Sequence, residues 1–310
     1  MTKVTDIGGL KRILLYTQRI GKRFPRLTST ISFVVSVSER FIHHSGSTLA
    51  AAISYYTFLS LFPILILIVS LLGYVTADSG IFYSSIIDSV DQVMPGYVSL
   101  VERNLGTLGR NAGRLGFVAF ITLLWVSTGL FSSIEFSLNT IFEVKEYKSL
   151  LQHGLISIGS VFFLSCFIMA STLITPVKGL TIYYLSILPI LDKEQASFLV
   201  GFIMTFLPFI FSYFLFFTIY RFIPDRKLGE KEIALGAALA AISWELSKNI
   251  LVGYLSARMA YYELVYGSLV LIVVSILWSY IFSLILVLTG CIIIELHERR
   301  ESKSAIDPAL

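Results

Sequence analysis

The sequence predicts an all-α, polytopic membrane protein with six transmembrane helices, and three observations carry this prediction. Hydrophobic residues make up 55% of the 310 residues and charged residues only 14%, whereas a soluble domain carries about 25% charged residues. The apolar residues are gathered into six long runs, each near or above the ~20 residues that a helix needs to cross a bilayer. Lys and Arg are unevenly distributed among the segments that connect these runs.

The segment before the first run, residues 1–46, is basic and amphipathic. Apolar residues such as Leu10 and Leu14 interleave with Lys11 and Arg12, a pattern typical of helices that lie on an anionic membrane surface. A solvated cytoplasmic tail is the alternative. Residues 31–37 form a second apolar stretch that is too short to span, and we interpret it as an interfacial helix. The sequence therefore predicts a cytoplasmic or interfacial amphipathic region here.

A transmembrane domain is predicted over residues 47–296, followed by a cytoplasmic tail over residues 297–310. The predicted spans are residues 47–75, 115–142, 155–177, 196–220, 233–255 and 267–294. The connection between the first two spans, residues 76–114, is the longest. Its apolar residues recur at helical spacing around Pro95 and Gly96, which predicts two short amphipathic helices on the outer surface.

The orientation of the chain follows from its basic residues. With the N-terminus inside, the inner segments carry 17 Lys or Arg residues and the outer loops carry 6. Because cytoplasmic loops are enriched in Lys and Arg, both termini are predicted to lie in the cytoplasm.

The fifth predicted span holds two charges near its middle, Glu245 and Lys248, with Asn249 beside them. An ionisable side chain at that depth costs at least ~2.5–3.5 kcal/mol on insertion scales. Residues three positions apart share a helical face, so Glu245 and Lys248 can partly neutralise each other.

A second polar set lies in the second span, where spacings of four, three and four place its members on one helical stripe. We expect this stripe and the fifth span to pack with the first span around a polar interior that serves as a substrate pathway. The predicted pathway residues are Thr128, Ser132, Glu135, Asn139, Glu245, Lys248, Asn249 and, in the first span, Tyr55. The alternative is a buried ion-pair network that fixes helix register, or polar groups that reach the membrane surface.

Sequence signatures of enzymes are missing. The chain has no Gly-rich phosphate loop, no His-Glu-x-x-His, no Cys-x-x-Cys and no Gly-x-Ser-x-Gly, so no catalytic residue, no metal site and no cofactor is expected. A metal-dependent nuclease would need grouped carboxylates, which the sequence does not offer. Cys166 and Cys291 both lie in apolar runs, and we interpret them as packing residues.

Several motifs are similar, in this order along the chain, to the YihY/BrkB family of bacterial inner-membrane proteins. They are AAAISYYTFLSLFP over residues 50–63, Leu138-Asn139, Arg221-x-x-Pro224, Gly236-Ala237-Ala238, Trp244-Glu245, Lys248, Tyr254, Tyr266-Gly267-Ser268, Trp278-x-Tyr280 and Gly290. The resemblance covers about residues 40–297. It implies a six-span helical protein of the inner membrane. It also implies export or flipping of lipid-like substrates as one activity, and the family carries a ribonuclease label as well.

The sequence thus favours an inner-membrane transporter, an exporter or flippase of a lipid-like or anionic substrate. A non-transporting scaffold or accessory protein of envelope assembly is the alternative, and a membrane-tethered ribonuclease is disfavoured. The expected partners are membrane lipids and a small-molecule or lipid substrate, with no nucleic acid. A homo-oligomer is left open.

Overall fold

A computed structural model describes residues 25–76, 112–144 and 193–306, and every regular element in these residues is helical. The six α-helices are α1 (Pro25–His43), α2 (Gly46–Thr76), α3 (Ala112–Ile141), α4 (Lys193–Phe222), α5 (Glu230–Tyr266) and α6 (Val270–Ile306). The all-helical class is confirmed for this part of the chain. The predicted third span, residues 1–24 and most of the predicted outer loop lie outside the described residues.

Three helical segments of the described residues are long and apolar enough to cross a membrane. They are Gly46–Leu67, Gly113–Ile141 and Ile272–Ser302, which correspond to the predicted first, second and sixth spans. Helix α4 contributes a shorter apolar segment, Pro208–Phe222. The predicted fifth span is helical within α5, but its charged and amide side chains make it less apolar than the other three. The count of six spans and the cytoplasmic position of both termini stay predictions.

Two helices extend beyond the predicted spans. Residues 256–266 were expected to form an outer loop, but α5 continues through Tyr266. The break comes at Gly267, whose φ of +54° is a left-handed conformation that glycine adopts without steric cost, and a 3-10 turn over Gly267–Leu269 leads into α6. At the other end, α6 continues through Ile306, so most of the predicted tail extends the last helix.

The apolar stretch of residues 31–37 lies within helix α1 as predicted, whereas its place at the membrane interface stays a prediction. A tight turn joins α1 to α2. Ser45 adopts a φ of +53°, and its carbonyl accepts hydrogen bonds from the N–H groups of Thr48 and Leu49 at the start of α2. A Cβ on Gly46 would lie 2.4 Å from the ring of Phe41. The turn therefore depends on a glycine where α2 begins.

The described chain falls into two compact units, whose boundary passes through α2, α3 and α4. One unit contains residues 25–55, 133–144 and 213–306, and the other contains the remaining described residues. In the second unit, α2 and α3 approach closely at Gly129, where a Cβ would lie 2.4 Å from the ring of Tyr56. All the polar interactions described below, except those of Thr128 and Ser132, belong to the first unit.

The core of the first unit is the packing of α5 on α6. Ala237, Ala240 and Ala241 on α5 are fully buried, and a Cβ on Gly236 would lie 2.2 Å from the side chain of Ile293. Small residues of this kind let two helix backbones approach closely in a membrane. The small residues of α5 therefore lie at a close contact with α6.

Candidate functional site

Glu245, Lys248 and Asn249 form one polar group on α5, here called the polar triplet. Lys248 Nζ lies 2.7 Å from Glu245 Oε1, and the side-chain amide of Asn249 donates a 2.9 Å hydrogen bond to the backbone carbonyl of Glu245. The predicted pairing of the two charges is therefore confirmed. Their side chains are 23% and 29% exposed, so the pair is neither sealed in the core nor fully open.

The surroundings of the polar triplet are apolar on both sides. Trp244 packs edge-on against Trp278 and Phe282 of α6, with ring centroids 5.3 and 5.5 Å away. On the other side, Leu246 and Ile250 are exposed. The ion pair thus lies within one turn of α5. The packed aromatic rings lie on one side of it, and the exposed Leu246 and Ile250 lie on the other. Opposite charges held this closely partly cancel each other's desolvation cost.

The stripe predicted on the second span lies on α3, and its members have different environments. Thr128 is exposed and donates a 2.6 Å hydrogen bond to the backbone carbonyl of Trp125 on its own helix. Ser132 is exposed, Glu135 is half-buried and Asn139 is 1% exposed. Tyr55, on α2, is exposed. A polar interior shared by the first, second and fifth spans stays a prediction.

Asn139 makes a two-point contact with the segment between α4 and α5. Its amide nitrogen donates to Asp225 Oδ2 at 2.9 Å, and its amide oxygen accepts a 3.0 Å hydrogen bond from the Asp225 backbone N–H. A buried amide that both donates and accepts is fixed in one orientation, and losing either partner leaves a desolvated polar group at a cost of about 1–3 kcal/mol. The geometry gives Asn139 a role in joining two segments.

The end of α3 is closed by a backbone motif. The N–H of Val144 donates to the carbonyl of Asn139, and the N–H of Glu143 donates to that of Thr140. These two bonds, with Glu143 at a φ of +53°, form a Schellman motif.

Two carbonyls at this end are bound by arginines from other parts of the chain. Arg40 on α1 reaches the carbonyl of Ile141 at 3.4 Å, and Arg226 reaches that of Phe142 at 2.8 Å. The C-terminal end of a helix carries unpaired carbonyls and partial negative charge, which cations stabilise by about 0.3–2 kcal/mol.

The same two arginines share a carboxylate from α6. Glu298 Oε2 lies 2.5 Å from Arg40 Nη2, and Glu298 Oε1 lies 3.7 Å from Arg226 Nη1. Glu143 adds a longer contact to Arg40 at 3.5 Å. These four residues, Arg40, Arg226, Glu143 and Glu298, form the arginine–carboxylate cluster. Because the Arg40 side chain is only 14% exposed, this cluster fixes the ends of α1, α3 and α6 against each other.

A separate ion pair joins the start of α5 to the end of α6. Glu232 is buried, and its Oε1 accepts a 2.7 Å hydrogen bond from Arg300 Nη1. The Arg300 guanidinium holds the pKa of the Glu232 carboxyl below its ordinary value of 4.5, against the opposing effect of burial. Glu232 also lies in the first turn of α5, where the helix dipole favours negative charge.

The sequence did not predict the arginine–carboxylate cluster. Arg40 and Glu298 are 258 positions apart, and their pairing depends on how the helices pack. The only available signal was the position of Arg40, Arg226 and Glu298 just outside apolar runs. Among the described residues, no group of three or more His, Cys, Asp or Glu side chains is placed to hold a metal ion.

Comparison with known proteins gives one family. A family model described as "Virulence factor BrkB" matches residues 37–309. A "UPF0761 membrane protein" of Vibrio vulnificus is 28% identical over 287 residues, covering 91% of this chain and 88% of the relative. Another, from Vibrio parahaemolyticus, is 28% identical over 297 residues, with coverages of 94% and 90%.

A further relative has a different kind of name. The "putative ribonuclease-like protein YfkH" of Bacillus subtilis is 28% identical over 288 residues, covering 87% of this chain and 97% of that protein. No solved structure matches the chain.

Proposed function

The chain belongs to the BrkB family of membrane proteins, and on that premise we propose that it is a transporter of the bacterial inner membrane. Its substrate would be lipid-like or anionic, and the protein would export this substrate or flip it across the membrane. The relatives named as membrane proteins support the location in a membrane. The transport role rests on the polar triplet.

The observation that supports transport is the ion pair within α5. Lys248 and Glu245 lie 2.7 Å apart on a helix that also exposes the apolar residues Leu246 and Ile250, and both charged side chains are partly accessible. Ionisable groups in a membrane-spanning helix cost several kcal/mol and usually face a water-filled path or another polar partner. A substrate path beside α5 would supply that environment.

The proposed role of each residue follows from its charge. Lys248 would bind a negatively charged group of the substrate, competing with Glu245 for the ammonium group. Glu245 would hold Lys248 in place when no substrate is bound. Asn249 would fix the backbone carbonyl of Glu245. Such competition keeps the Lys248 ammonium paired with an anion before and after the substrate binds, and a lysine without a partner would cost more than the pair does.

The test is flux in proteoliposomes. Purified protein would be reconstituted and assayed for flipping of labelled phosphatidylglycerol and for uptake of small anions. The neutral pair Glu245→Gln with Lys248→Met keeps the helix surface without its charges, and replacing an ion pair in this way is often neutral for stability. We expect flux to fall by about tenfold or more, in line with the loss of one charged contact.

A matched control separates this effect from misfolding. Glu232→Gln should lower thermal stability through the loss of its ion pair with Arg300 but leave flux per folded molecule close to wild type. If neither substrate moves, or if the neutral pair transports as well as wild type, the transport proposal is wrong.

The buried contacts at the helix ends favour a second candidate, a non-transporting scaffold of envelope assembly. Asn139, Arg40 and Glu298 all serve to join helices, which is what a docking platform requires. In that case the neutral pair would complement a deletion strain fully, and flux would be absent. We further propose that the chain has no nuclease activity, and an RNA hydrolysis assay on the same preparation checks this.

A further inference from the structure

A pocket opens where the last turns of α6 pass the beginning of α1. It has a volume of 420 Å³, within the ~300–1,000 Å³ of small-ligand sites. Its lining is Ser29, Thr30, Phe33, Leu296, Arg299 and Arg300, and we call it the end pocket. The lining thus combines two arginines and two residues that carry hydroxyls with one aromatic and one aliphatic residue.

Arg299 is oriented by several contacts. Its Nε donates a 2.7 Å hydrogen bond to Glu295, and its guanidinium carbon lies 5.1 Å from the centre of the Phe33 ring. Its terminal nitrogens reach the Ser29 carbonyl and the Ser32 hydroxyl at 3.5 Å and the Ser36 hydroxyl at 3.4 Å. The side chain is therefore held in place by the carboxylate and the ring, while its outer N–H groups make only long contacts that a stronger acceptor would replace.

Arg300 is oriented by a carboxylate on one edge. Its Nη1 is bound to the buried Glu232, while its side chain is 56% exposed. Because a guanidinium offers five N–H donors in a planar fork, the edge turned away from Glu232 can still bind an anion. Neither carboxylate partner, Glu232 or Glu295, lines the pocket.

We propose that the end pocket binds the phosphate group of a phosphate ester. Arg299 and Arg300 would bind two phosphate oxygens, since guanidinium groups match phosphate geometry. The Ser29 and Thr30 hydroxyls would bind a further oxygen, and Phe33 with Leu296 would cover the carbon atoms attached to the ester.

The position of the pocket leaves two sources for the phosphate group. The apolar segment Ile272–Ser302 ends beside it, and α1 is the amphipathic helix that precedes the first span. An anionic phospholipid headgroup would meet such a site at the membrane surface, and a soluble phosphorylated compound would reach it from water. This site is separate from the polar triplet and does not depend on the transport proposal.

Binding would be measured on the full-length protein in micelles. Thermal stability would be followed with added phosphatidylcholine, with phosphatidylglycerol and, separately, with inorganic phosphate. We expect phosphatidylglycerol to raise the unfolding temperature more than phosphatidylcholine, because the choline cation offsets the charge of the same phosphate group. A response to inorganic phosphate alone at similar concentration would assign the site to a soluble phosphate compound, and a response to neither anion would overturn the proposal.

Two variants place the effect in the pocket. Arg300→Lys keeps a positive charge for Glu232 but loses the planar fork, and Thr30→Asp adds a negative charge to the lining. Each should weaken phosphatidylglycerol binding by about tenfold. Arg221→Gln, which removes an arginine from an exposed pair with Glu230, is the control and should bind as wild type. Equal binding by all three variants would show that the lipid acts elsewhere.

Discussion

At the scale of single residues, Glu143 combines an unusual backbone conformation with a position that the fold needs. Its φ of +53° completes the Schellman motif that ends α3, a place usually taken by glycine. Its carboxylate is more than half exposed and lies 3.5 Å from Arg40 and 3.3 Å from His44. Exposed pairs of this kind contribute little, with a median of about 0–1 kcal/mol. The backbone strain and the ion pairs are therefore of similar size and opposite sign.

Comparing Glu143→Gly with Glu143→Ala separates the two effects. Both variants lose the carboxylate, but only glycine adopts the left-handed conformation without steric cost. We expect Glu143→Gly to be more stable than Glu143→Ala by about 1 kcal/mol, measured by thermal unfolding in detergent. Equal stability of the two variants would mean that the turn at residue 143 relaxes without strain.

Glu232 gives the molecule a sensitivity to acid. Because the folded-state pKa of its carboxyl is lowered by Arg300, its contribution to stability is fully present above the unfolded value of about 4.5 and is lost as the pH falls through the lower folded pKa.

Glu232→Gln should therefore be less stable than wild type at neutral pH, and the difference should shrink below about pH 4.5. Unfolding temperatures measured from neutral to acidic pH check this. Glu230→Gln is the control, since Glu230 lies in the same first turn but is mostly exposed. A Glu232→Gln deficit that stays constant down to acidic pH would contradict the assignment.

At the scale of helices, the α5–α6 contact is the best-defined packing in the described chain. Gly236 faces Ile293 so closely that an added methyl group has no room, whereas Gly253, on the same helix, has nothing within 4 Å of where a Cβ would lie. The two glycines therefore provide a matched pair in one helix.

Gly236→Ala should destabilise the protein by about 1–3 kcal/mol through overpacking. Gly253→Ala should be neutral or stabilising by up to ~1 kcal/mol, because alanine is the better helix former. The double variant Gly236→Ala with Ile293→Ala should lose less stability than the sum of the two single variants, as expected for residues in contact. Strictly additive losses would show that the two side chains do not meet.

The helices could be predicted because each follows from a local property of the sequence, and the contacts between them could not. Long apolar runs identified α2, α3 and α6, and the spacing of Glu245 and Lys248 predicted their pairing within α5. The continuation of α5 through Tyr266 was missed because polar and charged residues at the end of a span resemble a loop. The joining of Arg40 to Glu298, and of Asn139 to Asp225, depends on the packing of segments distant in the chain, which local sequence patterns do not specify.

At the scale of the whole molecule, the orientation of the chain is the prediction with the widest consequences. It sets whether the arginine–carboxylate cluster and the end pocket face the cytoplasm. The preference for cytoplasmic termini comes from Lys and Arg counts, and nearly half of the inner basic residues lie in residues 1–46.

Single-cysteine labelling tests this orientation. In a background with Cys166 and Cys291 replaced, Tyr261→Cys on α5 and Glu301→Cys on α6 place thiols at exposed positions. A membrane-impermeant maleimide should label position 261 in intact spheroplasts and position 301 only after permeabilisation. The reverse pattern would place both termini outside.

The arginine–carboxylate cluster also orders events during synthesis. Arg40 leaves the ribosome early, but its partner Glu298 is made 258 residues later, roughly 13–50 s at ~5–20 residues per second. Arg226 is made only 84 residues after Phe142, whose carbonyl it binds. All the groups of both arginine contacts at the end of α3 are thus made while the chain is still growing, and the carboxylate shared by both arginines arrives only when translation is nearly complete. A chain released before residue 298 therefore has Arg40 and Arg226 without the carboxylate that joins them in the complete protein.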